Sequence, residues 1–283
     1  MPARRHPTAR QVRLGTELRR LREAAGLKAT EAASLLGANS VQMSQIESGI
    51  AGVSEQRVRR LAANYACADT KLIEALVGMA TDRTRGWWED YRGVLPAAYQ
   101  DLAELDHHAT FRNDVAVIHV PGLFQTEDYA RALFAYMNPE FPDSEVDLRV
   151  EHRMKRQVVI DGPEPIPYET VIHEAALRIQ VAGQAASRAQ LSRILEVSEA
   201  DHVTVRVIPF ALHDFAGAGS TMVHLGGTVP RLDTVVRDAP HGTAFLDSEA
   251  QLEHFRTLFR KVKEQALSPE QSRDLIHQMT KEL

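Results

Sequence analysis

A single cysteine, Cys67, stands among 283 residues. No intramolecular disulfide and no cysteine-built metal cluster can form, which favours a reducing compartment. No apolar run reaches the ~18 residues of a membrane span, and no apolar signal region follows Met1, so a cytoplasmic protein is expected. The parts of an enzyme are equally scarce. There is no G-x-S-x-G elbow, and Cys67 has no evident base beside it. His173-Glu174 begins like a zincin motif, but Leu177 stands where the second histidine belongs. His107 and His108 are adjacent, so on a helix they diverge by about a hundred degrees and make poor joint ligands. "GAGST" at 217–221 lacks the lysine and the spacing of a P-loop and reads as a hairpin or strand-entry loop. No internal repeat or low-complexity segment is present. No catalytic residue, metal site or cofactor is expected.

What is there is an ordinary globular composition with an uneven charge. Apolar residues make up 44% and charged residues 25%, enough to build a core at this length. Residues 1–65 carry 11 Lys and Arg against 5 Asp and Glu, whereas the remainder carries 22 against 33. A basic first quarter on an acidic body suggests a nucleic-acid-binding module joined to something else.

The first quarter reads as five short helices. Over 11–25, Leu14, Leu18 and Leu21 recur at helical spacing, and Gly26 ends the helix. A second covers about 29–36 and stops at Gly37. Asn39 then caps a third, in which Met43 and Ile46 point inward and Ser40, Val41, Gln42, Ser44, Gln45 and Ser48 remain outside. Ser54 caps a fourth, and a fifth spans 70–79. Two short helices joined by a Gly-containing turn make a helix-turn-helix, whose second helix enters the major groove. Amide and small side chains suit base reading there: glutamine pairs with adenine and small apolar groups touch the thymine methyl. Gln42 has a second use open to it, as third-position partner of Asn39 in a capping box. Arg57, Arg59 and Arg60 serve either phosphate contact or a solvated helix face.

The run "LGTELRRLREAAGLKATEAASLLGANSVQMSQIESG" resembles the Xre/phage-repressor family of helix-turn-helix regulators, above all in "QIESG" at 45–49. The resemblance implies that Arg22 and Glu47 form a scaffold pair. It places base contacts at Ser40, Val41 and Gln45, with Gln42 adjacent, and phosphate contact at Ser48. Ala29 stands where the family usually has a phosphate-clamping glutamine, so Thr30, Ser48 and Arg57 are expected to anchor the backbone.

The polar stretch "ATDRTRG" at 80–86 marks a boundary, giving a DNA-binding domain over 8–80, a linker at 81–86 and a larger domain over 87–283. In the larger domain the patterns predict a helix from about Pro96, a strand at 114–120, a helix capped by Thr126, and a charged helix from Ser144 to about 157. Strands follow at 168–175 and 203–210, with a helix opened by a Ser187–Gln190 capping box between them. Three short strands in "GSTMVHLG", "LDTVVRD" and "TAFLD" lead to two final helices at 248–266 and 268–281. The fold class expected is an all-α helix-turn-helix domain followed by an α+β domain.

Successive landmarks, among them "WWEDYRGVLPAAYQDLAELDHHAT", "VPGLFQTEDYARALF", "RVEHRMKRQ" and "ALSPEQSRDLI", resemble actinobacterial regulators that append a domain of the DUF5753 type to an Xre-like head. Members are described as antitoxin-like or developmental regulators and are often encoded beside a small acidic protein. Phe124 replaces a usual leucine, and His107-His108 replace small or acidic residues.

The function expected is a sequence-specific regulator that binds a double-stranded DNA operator. Its larger domain is expected to form a homodimer and to take a small-molecule effector or a small partner protein. The alternative is an antitoxin-like protein that sequesters a small acidic partner and autoregulates its operon. Candidate partner or ligand residues are Trp87, Trp88, Tyr91 and Tyr129 as a pocket lining, and Arg149, Arg153 and Arg156 as a basic patch.

Overall fold

The computed structural model describes residues 7–213, 215, 217, 220–239 and 242–283. The chain divides into two compact units, Met1–Leu105 with Thr228–Leu232, and Asp106–Gly227 with Asp233–Leu283.

In the first unit α1 (Ala9–Ala24), α2 (Ala29–Leu36), α3 (Ser40–Glu47), α4 (Glu55–Asn64) and α5 (Thr70–Thr81) enclose one core, and α6 (Ala97–His108) begins. The helices start where side-chain oxygens satisfy first-turn amides: Thr8 accepts from Gln11, Asn39 from Gln42, Ser54 from Arg57 and Asp69 from Leu72. Leu14, Leu18, Leu21, Ala32, Ala33, Leu36, Met43, Ile46, Val58, Leu61, Leu72 and Leu76 form the interior. Val229 and Leu232, from the short segment after Gly227, pack against the same core. Gly15 is fixed by proximity, because a Cβ there would lie 2.6 Å from the carbonyl oxygens of Ile46 and Glu47. That contact lets α1 and the end of α3 touch backbone to backbone.

The second unit is built on a six-stranded sheet of order β3-β2-β1-β4-β5-β6. Its strands are β1 (Phe111–Ala116), β2 (Tyr168–His173), β3 (Val203–Ile208), β4 (Met222–Gly226), β5 (Thr234–Ala239) and β6 (Gly242–Leu246). β1, β2 and β3 run parallel, and β4, β5 and β6 join antiparallel to the other side of β1. Parallel neighbours need long crossovers. These are α7 (Glu127–Met137), α8 (Asp143–Arg156) and α9 (Val158–Asp161), then α10 (Glu174–Arg178) and α11 (Gly183–Val197). α12 (Glu249–Gln265) and α13 (Pro269–Glu282) close the chain. On one face Ile172, Val205 and Val207 meet Ile194 of α11 and Ile276 and Met279 of α13. On the other, Val115, Val171, Ile208 and Val235 meet Leu252, Phe255, Phe259 and Val262 of α12. Each large side chain so buried contributes roughly 1.5–3 kcal/mol. The expected class, a helical head and an α+β body with two final helices, is the one observed.

Several element boundaries differ from the sequence-based expectation. The first strand is Phe111–Ala116 rather than 114–120. Its early inward positions are Arg112 and Asp114, which are buried and paired with each other, so a search for apolar alternation starts too late. Ser187 does not open a helix: α11 starts at Gly183, and both Ser187 and Gln190 are buried within it. Gln190 spends its amide elsewhere, accepting from Thr126 N (2.8 Å) and donating to Phe124 O (2.7 Å). The strand expected over 168–175 ends at His173, whose Nδ1 accepts from Ala175 N (3.1 Å) and caps α10. Parts of "GAGST" lie outside the described residues.

Candidate nucleic-acid interface

α2 ends at Gly37, which sits at φ +69°, a conformation glycine adopts without steric cost. Ala38 N then bonds back to Ala33 O (2.9 Å), closing the tight turn into α3. α3 is only eight residues long, far too short to persist alone. Its position comes from Met43 and Ile46, which are 0% and 2% exposed, and from one ion pair. Arg22 grips Glu47 with two bonds, Nε to Oε1 at 2.6 Å and Nη2 to Oε2 at 3.0 Å, and its third nitrogen reaches Leu27 O at 2.7 Å. The hydrogen bond it donates to Glu47 raises the pKa of the Arg22 guanidinium further, so the pair stays ionic.

The outer surface of α3 is left bare. Ser40, Val41, Gln42, Ser44, Gln45 and Ser48 are exposed, and Val41, at 64%, is unusually open for an apolar side chain. The two glutamines differ. Gln42 closes a capping box, its Oε1 accepting from Asn39 N (3.3 Å) while Asn39 Oδ1 accepts from Gln42 N (2.8 Å). A bidentate contact to adenine uses both the oxygen and the NH2, so Gln42 must release the cap to make one. Gln45 has its whole amide free among the described residues. Ser48 donates to Gln45 O (3.2 Å) at the end of the helix.

Around α3 the candidate phosphate contacts separate in the same way. Thr30 and Arg57 are exposed, and the Arg57 guanidinium has no partner among the described residues. Arg59 is committed to Glu55 (2.9 Å) and Glu74 (2.6 and 2.9 Å). Ala29 packs partly against the core and carries no polar group toward solvent.

Five of the candidate partner residues are buried, and Trp87 and Arg153 are half-buried. Trp88 and Tyr91 are buried in the first unit, where Trp87 lies edge-on to both rings. Tyr129 is buried in the second, its hydroxyl accepting from Val120 N (3.2 Å). None forms an open aromatic wall. On α8, Arg149 and Arg156 are buried and Arg153 is half-buried. Arg149 pairs with Glu145 (2.7 Å) and lies over Phe141, Arg153 donates to Gln125 and lies over Phe134, and Arg156 bonds Asp106 at 2.8 and 3.0 Å. Arg149, His152 and Arg156 share one helical face, which is buried. Asp106 also takes Arg112, which binds Asp114 at 2.9 and 3.1 Å. Burial holds the Tyr168 phenol well above its ordinary value, so it donates to Asp114 (2.8 Å) as a neutral hydroxyl.

Sequence reasoning missed a cavity of about 240 Å³ at the carboxyl ends of the parallel strands, lined by Val115, Val117, Val171, His173, Ile208 and Val262 among others. Its residues come from four segments that only the fold assembles. Among the described residues no group of three or more His, Cys, Asp or Glu is placed to hold a metal ion, and no helix is long and apolar enough to cross a membrane.

A helix-turn-helix domain model matches residues 13–76, the span of α1 to α5 that carries this geometry. No curated protein and no solved structure matches the chain. The helix-turn-helix match points to a DNA-binding regulator rather than an enzyme. A second model, described as a domain of unknown function, DUF5753, matches residues 99–278, more than half of the sequence, and the chain belongs to that family.

Proposed function

We propose that this protein is a transcriptional regulator of Xre type that reads a double-stranded DNA operator through α3. The observation that carries the reading is α3 itself. It is anchored from behind by Met43, Ile46 and the Arg22–Glu47 pair, and it presents Ser40, Val41 and Gln45 uncommitted on the outside. Val41 would meet a thymine methyl and Gln45 an adenine edge. Thr30, Ser48 and Arg57 would hold the flanking phosphates, with Gln42 in reach of a base if its cap opens. The C-terminal unit would dimerise, placing two recognition helices about one turn of DNA apart, and would bind an effector or a small partner protein.

Selection from a random duplex library, followed by the same selection with Gln45→Ala, tests the base-reading role. The wild type should enrich one motif, and the variant should lose preference at one position, by roughly 1–3 kcal/mol. An unchanged motif in the variant removes Gln45 from the interface, and no enrichment by the wild type removes the operator reading. Native mass spectrometry of the protein from its own host separates a dimer from the antitoxin-like alternative, in which a small acidic protein co-purifies.

A further inference from the structure

The sheet changes direction at β1. The chain lays β2 and β3 on one side of it in parallel, then returns to place β4 on the other side, antiparallel. In sheets wound this way, ligands bind outside the carboxyl ends of the parallel strands, where no crossover covers them. The cavity of about 240 Å³ lies at those ends. Register puts Val115 beside Val171 and His173 beside Ile208, so these residues face the α12 side together. Val262, near the end of α12, forms the opposite wall. An apolar cavity of about 150 Å³ suffices for benzene; this one has room for a second fused ring.

Its polarity is concentrated in one side chain. The His173 ring lies near-parallel to Phe215 at 6.1 Å and edge-on to Phe210 at 5.4 Å. Because Nδ1 accepts from Ala175 N, the neutral ring carries its proton on Nε2, and Nε2 has no partner among the described residues. Among the described residues the walls otherwise offer no charge, and burying an unpaired carboxylate or ammonium against such a lining would be costly. We infer that this cavity is a binding site for a small neutral molecule of one or two fused rings bearing a single hydrogen-bond acceptor, which His173 Nε2–H engages. That such a ligand acts as the effector rests on the regulator reading; that it binds does not.

Quinoline and naphthalene, nearly identical in shape but differing in one acceptor nitrogen, serve as probes of the full-length protein by titration calorimetry and by the His173 imidazole nitrogen resonances. Quinoline should bind saturably, roughly five- to tenfold more tightly than naphthalene, as one net hydrogen bond gives, and should shift the Nε2 resonance. His173→Phe should erase the difference between the probes. Val117→Phe should fill the cavity and abolish both, with Val262→Phe as a second filling variant should the first fail to fold. Absence of saturable quinoline binding, or binding that survives a folded filling variant, overturns the site. A preference for quinoline that persists in His173→Phe overturns the role of the histidine. DNA selection is read separately, so a protein that binds quinoline and enriches no motif would refute the regulator reading alone.

Discussion

Gln42 and Gln45 carry the same amide on the same short helix, and their neighbours decide what each can do. The first is tied to Asn39, and the second has no side-chain partner among the described residues. Gly15 shows the same dependence on a neighbour. Its missing side chain leaves room for the carbonyls of Ile46 and Glu47. Gly15→Ala should therefore destabilise the protein by about 1–3 kcal/mol, as overpacking does, although alanine is the better helix former. Urea denaturation checks this. Glu104 supplies a pH test. Burial raises its carboxyl above the ordinary 4.5, with Asp101 and Glu89 reinforcing the shift and Thr8 and Arg10 opposing it, and its buried Oε2 has no hydrogen-bond partner among the described residues. A raised folded value means that ionisation opposes folding at neutral pH, and that stability returns as pH falls through the folded value toward 4.5. Glu104→Gln should melt higher than wild type at pH 7, and the gap should close as pH approaches 4.5. A gap that is constant across thermal melts at several pH values would refute this.

At the level of elements, the second unit is pinned by charge as well as by apolar contact. Asp106 at the end of α6 receives Arg112 from β1 and Arg156 from α8, and all three are buried. Removing one member of such a set strands the others in a low dielectric. Asp106→Ala should cost about 3–5 kcal/mol, read as a shift of the urea midpoint. Arg156→Met should cost less, because Asp106 keeps Arg112 and the methionine fills the space. Equal losses in the two variants would show that the network does not act through uncompensated charge. The α2–α3 pair obeys a different rule: its turn is set by Gly37, and its packing by two side chains and one ion pair.

For the whole molecule the uneven charge matters most. The basic first quarter sits in a chain of net charge −5, so on the operator reading any attraction to phosphate comes from particular residues of the head. Each phosphate neutralised adds about one unit to the salt dependence of affinity. Arg57→Ala should lower the slope of log affinity against log salt by about 1. Arg59→Ala should leave it nearly unchanged, because Glu55 and Glu74 already hold that guanidinium. Fluorescence anisotropy on the selected operator, over a series of salt concentrations, distinguishes the two.

The sequence by itself determined the helical head almost residue by residue. Its signals are local: caps at Asn39 and Ser54, stops at Gly26 and Gly37, and leucines at helical spacing act within one or two turns of chain. The two final helices were legible for the same reason, the last through Ser268, Pro269 and Gln271. Tertiary structure decided the rest. Nothing local reveals that β1, β2 and β3 run parallel, since parallel pairing joins residues more than 30 positions apart. The α8 arginines read as a surface patch until Asp106, Gln125 and the neighbouring rings are brought to them. Ser187 and Gln190 match a cap in sequence, yet long-range bonds to the chain before α7 claim the glutamine. The cavity beside His173 depends on four segments meeting, and burial of that kind is a property of the assembled sheet, which no stretch of sequence carries alone.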